Sequence, residues 1–433
     1  MEQYHRQLQQ ESFGLYCGKI TKIVGMKIES MGPISRIGDL CEIYSLDQSA
    51  MILAEVIGIE ESKVFLLPYQ DMEGIGYGSR VVNTNQPLTI GISNQMIGRI
   101  IDPLGNPLDG LGPIATTSQY PTKGSRYNPF DRPRIEEVLS LGVKAIDGMM
   151  TVGKGQRMGI FAGSGVGKST LLGMIARNVQ SDVNVIALVG ERGREVNEFI
   201  QKDLGVQGLA RSVIVVATSD QPAMLRSKCA LTATTIAEYF KDQGKDVLLM
   251  MDSLTRFAMA QRDIGLSAGE APIARGYTPS IYSALPQLLE RAGRFKEGSI
   301  TGLYTVLVEG DDTNEPISDT VRGILDGHMI LSRQIAMKNH YPAIDVLASL
   351  SRLMNDITDK TYQTYVGQIR QWMALIKENE DLISIGAYKP GSNLGLDEAL
   401  RKSDLISKLL IQAVEEHVDY STTVSMIERI VKG

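Results

Sequence analysis

Cysteine and histidine are scarce in this chain, and their spacing excludes two classes of site. The 433 residues include three cysteines and four histidines. They show neither the paired spacing of a zinc site nor the dense framework of a disulfide-stabilised domain. We therefore expect reduced, partly buried thiols in a cytoplasmic protein, without a Cys/His metal centre. The cysteines are Cys17, Cys41 and Cys229, and the histidines are His5, His328, His340 and His417.

Long apolar runs and an excess of basic residues are also missing. No apolar run approaches the roughly 18 residues of a membrane-spanning helix. The opening Met1–His5 lacks the charged-then-apolar pattern of a signal peptide. The net charge is -6, which argues against non-specific nucleic-acid binding because such binding needs a basic surface. We expect a soluble protein that reaches any membrane only through something else.

Turn residues and apolar periodicity divide the chain into four predicted sections. Short β-branched segments separated by turn residues recur between Gly18 and Val82, which is typical of a small all-β barrel or sandwich. Residues 358–433 instead carry helical periodicity with one Gly/Pro break. The predicted sections are an N-terminal segment (1–17), a β-barrel domain (18–90), an α/β core (91–352) and a helical C-terminal domain (353–433).

Within the predicted core, apolar β-branched runs alternate with helical segments from about Gly142 to Leu350. Such runs are typical of strands buried on both faces of a largely parallel sheet, so the alternation predicts an α/β domain. The turn-rich stretch from Gly91 to Pro133 is expected to be an irregular connector draped on this domain. The runs are Met158–Ala162, Asn184–Val189, Val213–Ala217, Val247–Met251 and Thr305–Val308.

A glycine-rich loop follows the first of these runs and leads into a predicted helix. Glycines let successive backbone N–H groups turn around phosphate oxygens, and the helix N-terminus adds partial positive charge. In the phosphate-loop motif G-x-x-x-x-G-K-[ST], Lys168 would reach the β- and γ-phosphates of ATP and Ser169 would ligate Mg²⁺. Position 162 departs from the strict pattern, and a chance glycine turn is the alternative. The predicted nucleotide-binding residues are Ala162, Gly163, Ser164, Gly165, Val166, Gly167, Lys168, Ser169 and Thr170.

Two carboxylates at strand ends make a hydrolytic site possible. Asp252 ends the run Val247–Met251, where an aspartate beside a phosphate loop would hold Mg²⁺; an ordinary helix N-cap is the alternative. Glu191 follows the run that ends at Val189 and is placed to reach a water in line with the γ-phosphate, with Arg192 to steady it. A solvated charged loop is the alternative for Glu191 and Arg192.

Several motifs in order resemble the ATPases of type III protein export, a family related to the catalytic subunits of rotary ATP synthases. The resemblance runs from Gly18 to about Lys402 and is strongest to the flagellum-specific branch. It implies a RecA-like P-loop core, and it makes Ala162 a common feature of the family. The segments that carry it are Ala162–Thr170, Val189–Val196, Ala217–Ala223, Met250–Arg256, Gly276–Ser280, Gly310–Pro316 and Ser349–Arg352.

The resemblance also implies a role for individual residues. Glu191 matches the glutamate that activates water, and Arg192 matches the arginine beside it. Asp252 matches the magnesium-site aspartate. Arg352 matches an arginine finger that acts on the ATP of a neighbouring subunit, and Tyr341 matches an aromatic residue that packs on adenine. Without the resemblance, physical reasoning favours a surface arginine for Arg352 and a core aromatic for Tyr341.

Partners follow from the same resemblance. It implies a homohexameric ring, a coiled-coil stalk in the ring axis facing the loop Ala387–Leu396, export substrates with their chaperones, and contact with a membrane export gate from the cytoplasmic side. The polar opening to about Gln10 is either a frayed terminus or a helix that docks an export-apparatus regulator.

Alternative functions remain open at this point. An injectisome ATPase is the same enzyme serving another machine. A rotary synthase subunit would assemble with a non-identical nucleotide-binding partner, and a non-catalytic nucleotide-binding scaffold would release no phosphate. A ring-shaped RNA translocase is disfavoured by the acidic balance and by the lack of aromatic-basic clusters in residues 18–82, so no nucleic-acid partner is expected.

Overall fold

The computed structural model describes residues 17–124, 127–308 and 315–433. These residues form a six-stranded barrel, a central sheet covered by helices, and a helical C-terminal part. The predicted fold class is therefore confirmed. The predicted docking helix at the N-terminus, and most of the motif Gly310–Pro316, lie outside the described residues.

The barrel closes through pairing of its first and last strands. Most of its strands bury alternate residues, as a sheet with one apolar face requires. The inward side chains, among them Ile20, Ile28 and Ile43, form a core of their own. The strands, in the order β1-β2-β5-β4-β3-β6, are β1 (Cys17–Val24), β2 (Lys27–Met31), β3 (Leu40–Tyr44), β4 (Met51–Glu60), β5 (Lys63–Pro68) and β6 (Arg80–Asn83).

The predicted connector contains more regular structure than its turn dipeptides suggested. Strand β7 (Thr89–Ile92) pairs with β9 (Ser118–Pro121), and β8 (Ile100–Ile101) adds an edge strand to the central sheet. The connector packs on the core as expected, since the Thr232 hydroxyl donates to the Pro103 carbonyl at 2.7 Å. A short helix α1 (Lys144–Met149) then leads to the sheet.

The central sheet has the strand order β17-β16-β10-β15-β13-β11-β12-β8, with β14 paired to β15. Its pairings are parallel except for β14–β15 and β16–β17. The five predicted runs correspond to β10–β13 and β15. The strands are β10 (Arg157–Ala162), β11 (Val183–Glu191), β12 (Ser212–Thr218), β13 (Asp246–Asp252), β14 (Gly293–Arg294), β15 (Ser299–Leu307), β16 (Gly327–Leu331) and β17 (Ile344–Ser351).

Burial on both faces explains why the central strands lack polar alternation. In β11, Val185 and Ala187 belong to the hydrophobic core on one side of the sheet, whereas Ile186 and Leu188 belong to the core on the other. Helices cover both sides, as in other parallel sheets. The helices of this part are α2 (Lys168–Asn178), α3 (Gly193–Glu198), the π-helical turn Phe199–Leu204, α4 (Gly205–Leu209), α5 (Ala223–Lys241), α6 (Leu254–Ala268), α7 (Pro279–Leu289), α8 (Pro316–Ile324) and α9 (Arg333–Met337).

The C-terminal part is helical, as its periodicity predicted. The longest helix starts after Asp359, whose side chain accepts the Tyr362 backbone N–H, and it buries Ile369 and Trp372. No helix among the described residues is long and apolar enough to cross a membrane. The helices are α10 (Met354–Ile357), α11 (Lys360–Glu378), α12 (Glu380–Ser384), α13 (Leu394–Leu410) and α14 (Tyr420–Lys432).

Candidate active site

The phosphate loop joins β10 to α2 at the carboxyl edge of the central sheet. Gly165 and Gly167 have φ angles of 78° and 85°, a left-handed conformation that L side chains rarely adopt. Ala162 differs from them because it is the last buried residue of β10, with a φ outside that region and its methyl group packed in the core. The missing glycine of the strict motif is therefore not needed at this position.

The loop opens into a cavity of about 470 Å³ that brings most predicted site residues together. Residues from the loop, from the ends of β11 and β13, and from the first turns of three helices contribute to its wall. Because parallel strands end at the same edge of a sheet, residues distant in sequence meet here. The predicted residues that line it are Gly163, Ser164, Gly165, Gly167, Lys168, Ser169, Thr170, Glu191, Arg192 and Asp252.

Asp252 sits at the floor of this cavity. Its Oδ1 lies 2.5 Å from Lys168 Nζ and accepts a hydrogen bond from the Thr305 hydroxyl at 2.7 Å. The helix N-cap alternative fails, because the side chain that caps α6 is that of Ser253. The buried Asp252 carboxylate therefore contacts Lys168 of the phosphate loop and does not cap the N-terminus of α6.

The cavity also fits a magnesium ion of the kind that nucleotides bring with them. Mg²⁺ keeps several waters and takes one or two protein oxygens together with substrate phosphates. Asp252 and the Ser169 hydroxyl supply oxygens of this type on the same cavity wall. Among the described residues no group of three or more acidic, histidine or cysteine side chains forms a complete metal cage. Two protein oxygens on one cavity wall suit a metal whose remaining ligands are waters and a phosphate group.

Glu191 is buried at the end of β11, beside Asp252 and Lys168. Gly190, with φ 67°, allows the chain to turn there. Burial, and then the negative charge of Asp252, raise the pKa of Glu191 well above its ordinary value, while Lys168 and Arg256 oppose the shift. A carboxylate in this state is suited to accept a proton near neutral pH.

Arg256, which was not among the predicted site residues, contacts Glu191. Its Nε and a terminal nitrogen lie 3.1 and 3.4 Å from the two carboxylate oxygens. Arg192, which was expected to steady Glu191, points outward and pairs with Glu195 at 3.5 Å. One signal was available in the sequence: Arg256 is in the first turn of the helix that follows Asp252, which directs it back toward the strand ends.

Tyr341 is not the core aromatic that physical reasoning alone favoured. It is 40% exposed, and its ring lies against the phosphate loop. A Cβ placed on Gly167 would come within 3.4 Å of the ring atoms Cδ1 and Cε1. The ring therefore flanks the start of α2, at the rim of the phosphate-binding loop.

Arg352 lies away from the phosphate loop of its own chain. Its backbone N–H donates to Asp326, whose carboxylate pairs with Arg157 at the amino end of β10. The loop begins at the other end of β10, roughly 16 Å away along the strand. The exposed Arg352 guanidinium donates to the Arg322 carbonyl at 3.4 Å. Arg352 is thus on the opposite edge of the sheet from the cavity.

Family models match three consecutive parts of the chain. The beta-barrel domain of the ATP synthase alpha/beta family matches residues 20–85, and the nucleotide-binding domain of that family matches residues 142–351. The T3SS EscN ATPase C-terminal domain matches residues 358–429. The barrel, the sheet with its cavity and the C-terminal helices described above therefore each correspond to a known domain.

Curated relatives match almost the whole chain. A flagellum-specific ATP synthase of Bacillus subtilis is 53% identical over 92% of this chain and 91% of its own length. A type 3 secretion system ATPase of Xanthomonas euvesicatoria is 47% identical over 98% and 96%. The chain belongs to the family of type III export ATPases. The predicted resemblance and the prediction of an ATPase are confirmed by this membership.

Solved structures of the family agree with the fold. The assembled ATPase EscN from the enteropathogenic E. coli type III secretion system is 44% identical, with a TM-score of 0.89, over 96% of this chain and 100% of the EscN chain. EscN in complex with its central stalk EscO matches equally well. This export ATPase thus has the EscN fold along nearly its entire length.

Proposed function

We propose that this type III export ATPase hydrolyses Mg-ATP in a ring and couples hydrolysis to export of flagellar proteins. The observation that carries the proposal is the cavity in which the phosphate loop, Lys168, Asp252 and Glu191 meet. A protein that binds nucleotide without hydrolysing it would need only the phosphate loop. The buried glutamate with a raised pKa adds a group suited to catalysis.

The phosphate loop and its neighbours bind the triphosphate. Backbone N–H groups of residues 163–168 and the N-terminus of α2 hold the phosphate oxygens, and the Lys168 ammonium neutralises charge on the terminal phosphates. Ser169 and Asp252 would hold Mg²⁺, which when bound supplies Lewis-acid stabilisation of charge on the phosphates. Tyr341 provides an aromatic face for the adenine at the rim of the loop.

Glu191 acts on the attacking water. Its carboxylate accepts the water proton as the oxygen approaches the γ-phosphate, and Arg256 keeps the carboxylate oriented through two contacts. The raised pKa matters because a base is most effective when its pKa lies near the working pH. Arg192, at the cavity wall, remains a candidate for contact with bound nucleotide or with a neighbouring subunit.

A homohexameric ring would complete the site. The distance of Arg352 from its own loop supports a role on the ATP of the next subunit, where it would stabilise negative charge in the transition state. Two related structures, the assembled ATPase EscN and EscN in complex with its central stalk EscO, support an assembly around a central stalk, which we propose is a ring with an axial coiled coil. The exposed Leu394 in the segment Ala387–Leu396 is available for such a contact.

The remaining partners complete the proposal. An export-apparatus regulator would bind the segment 1–17, and substrates with their chaperones would meet the ring at the cytoplasmic face of a membrane export gate. We place the enzyme first in a flagellar system, because the 53% identical Bacillus relative is named as flagellum-specific; the Xanthomonas secretion ATPase is 47% identical. The injectisome is the second candidate.

Two experiments test the proposal at separate levels. Phosphate release from ATP by the purified chain tests hydrolysis, and no release above background would leave only a binding scaffold. Deletion in the source organism tests the machine. Loss of flagella and motility with intact ATP synthesis supports flagellar export, whereas retained flagella would indicate that the enzyme serves an injectisome.

A further inference from the structure

Gln412 lies at a junction between three segments of the chain. It belongs to the connection between α13 and α14, and it is 3% exposed. Its side-chain Nε2 donates to the carbonyls of Gly142 and Glu416, each at 2.9 Å. Its Oε1 accepts the Lys144 backbone N–H at 2.8 Å. The amide is therefore bound on both sides and has one defined orientation.

The same residue is bonded to the turn that carries Tyr341. The Gln412 backbone N–H donates to the Tyr341 carbonyl at 3.0 Å. The Tyr341 ring in turn lies against Gly167 of the phosphate loop. A short series of contacts thus joins the C-terminal helices to the rim of the nucleotide cavity, through Gln412 and Tyr341.

The side chain of Gln412 fixes the position of its own backbone N–H. Without the amide, the Lys144 N–H and the Gly142 carbonyl would lose partners in a buried place, which is unfavourable. The connection between α13 and α14 would shift to find other partners. The donor to Tyr341 would move with it, and the aromatic ring would lose its defined position beside Gly167.

We infer that Gln412 is a positioning residue for nucleotide-base binding, acting through Tyr341. The inference rests on the proposed function, in which Tyr341 packs on adenine. Through this contact, the arrangement of the C-terminal helices sets how well the ring meets the base. Phosphate binding does not depend on it, because the loop from Gly163 to Lys168 is held by β10 and α2.

Calorimetric titration of the full chain with two ligands tests the inference. Mg-ATP has a base and inorganic tripolyphosphate has none, and both carry the triphosphate that the phosphate loop is proposed to hold. For Gln412→Ala we expect ATP affinity to fall roughly 5- to 10-fold, as loss of one or two buried hydrogen bonds implies. Tripolyphosphate affinity should stay within about two-fold of the wild type. The KM for ATP should rise while kcat at saturation changes little, since Gln412 touches no reacting group.

A matched control comes from the same junction. Glu416→Gln removes the ion pair with Lys144, at 3.0 Å, and leaves the contacts of Gln412 to Tyr341 in place. It should leave both affinities unchanged. Emission from Trp372, the single tryptophan, reports packing of the C-terminal helices in each variant. If the alanine variant does not fold, Gln412→Met keeps the side-chain length without its hydrogen bonds and answers the same question.

Combination with Tyr341→Ala distinguishes the positioning role of Gln412 from the contact of Tyr341 with the base. Tyr341→Ala alone should weaken ATP but not tripolyphosphate, and adding Gln412→Ala should cause no further loss. Equal weakening of both ligands by Gln412→Ala, or independent losses in the double variant, would overturn the positioning role. If Tyr341→Ala leaves ATP affinity intact, the base assignment in the proposed function fails instead.

Discussion

Replacing Glu191 with glutamine removes a proton acceptor from the cavity while preserving its size. Lys168, Asp252 and the loop remain, so Mg-ATP should bind with nearly unchanged affinity. Loss of a positioned base reduces turnover by roughly 10²- to 10⁴-fold, which corresponds to about 3–5 kcal/mol of transition-state stabilisation. We expect a loss within that range, because the Glu191 carboxylate is buried and oriented by Arg256.

The stability of the nucleotide-free protein gives an independent measure of the same group. The folded-state pKa of Glu191 is raised, so its ionisation opposes folding. The associated stability is fully present below the ordinary glutamate pKa and is lost as pH rises through the folded value. Glu191→Gln should therefore be at least as stable as the wild type at mildly alkaline pH, and its advantage should shrink in acid.

Steady-state phosphate release measures turnover, ATP titration measures affinity, and denaturant unfolding at several pH values measures stability. Glu198→Gln is the matched control, because Glu198 belongs to the helix that follows Glu191 but is exposed and pairs with Arg194 at 2.9 Å. It should retain most of its turnover. Turnover of Glu191→Gln within about three-fold of the wild type would refute the assignment of the base. Lost ATP binding would show instead that the carboxylate supports the nucleotide rather than the water.

Three further changes test other parts of the structure. Arg352→Ala and Lys168→Ala should each reduce turnover of the assembled enzyme by roughly 10³-fold, and mixing the two variants should restore measurable phosphate release because mixed interfaces contain intact sites. Arg256→Ala should lower kcat more than Arg192→Ala does, since Arg256 alone of the two contacts Glu191. Arg291→Ala should lower the free energy of unfolding by about 3–5 kcal/mol in denaturant titrations, because Arg291 pairs with Glu238 at 2.7 Å and both side chains are only 5% exposed, so the variant leaves a buried carboxylate without its partner.

Each of these expectations has a clear contrary result. If the mixture of two inactive variants stays inactive although mixed assemblies form, the trans role of Arg352 is wrong. A larger loss for Arg192→Ala would restore the original interpretation that Arg192 steadies the glutamate. Lys296→Ala is the stability control, because Lys296 pairs with Asp131 at the surface, with side chains 77% and 58% exposed. It should change stability by less than about 1 kcal/mol.

The sequence predicted those strands of the sheet that are buried on both faces. Strands β10–β13 and β15 are apolar on both faces, so their runs stand out. Strands β16 and β17 were not recognised, because each has one partly exposed face that admits polar residues such as His328 and Asp345. Of the two, β17 forms the edge of the sheet and β16 lies beside it. The short β8 was missed because two residues give no periodicity, although they extend the sheet past β12.

The site residues were predictable where the backbone conformation or the bound phosphate requires a particular residue type. The glycines, Lys168 and Asp252 follow from a strand, a turn and a helix in succession. Side-chain direction did not follow in the same way. Arg192 is adjacent to Glu191 in sequence but faces outward, whereas Arg256 reaches it from 65 positions away. Only the register of β11 beside β13 brings those two segments together.

The phosphate loop lies at the carboxyl ends of the parallel strands and Arg352 lies near their amino ends. Each subunit therefore has two different faces through which it can contact its neighbours. A contact that joins unlike edges is heterologous, so it can be repeated from one copy to the next and closes only when the rotation between copies allows it. If Arg352 acts on the ATP of the next subunit as proposed, an open row of subunits has, at its two ends, one phosphate loop without an arginine finger and one finger without a loop. Closure of the row removes both ends at once, so the last subunit to join would complete two interfaces rather than one. Activity should therefore rise more steeply with protein concentration than nucleotide binding does.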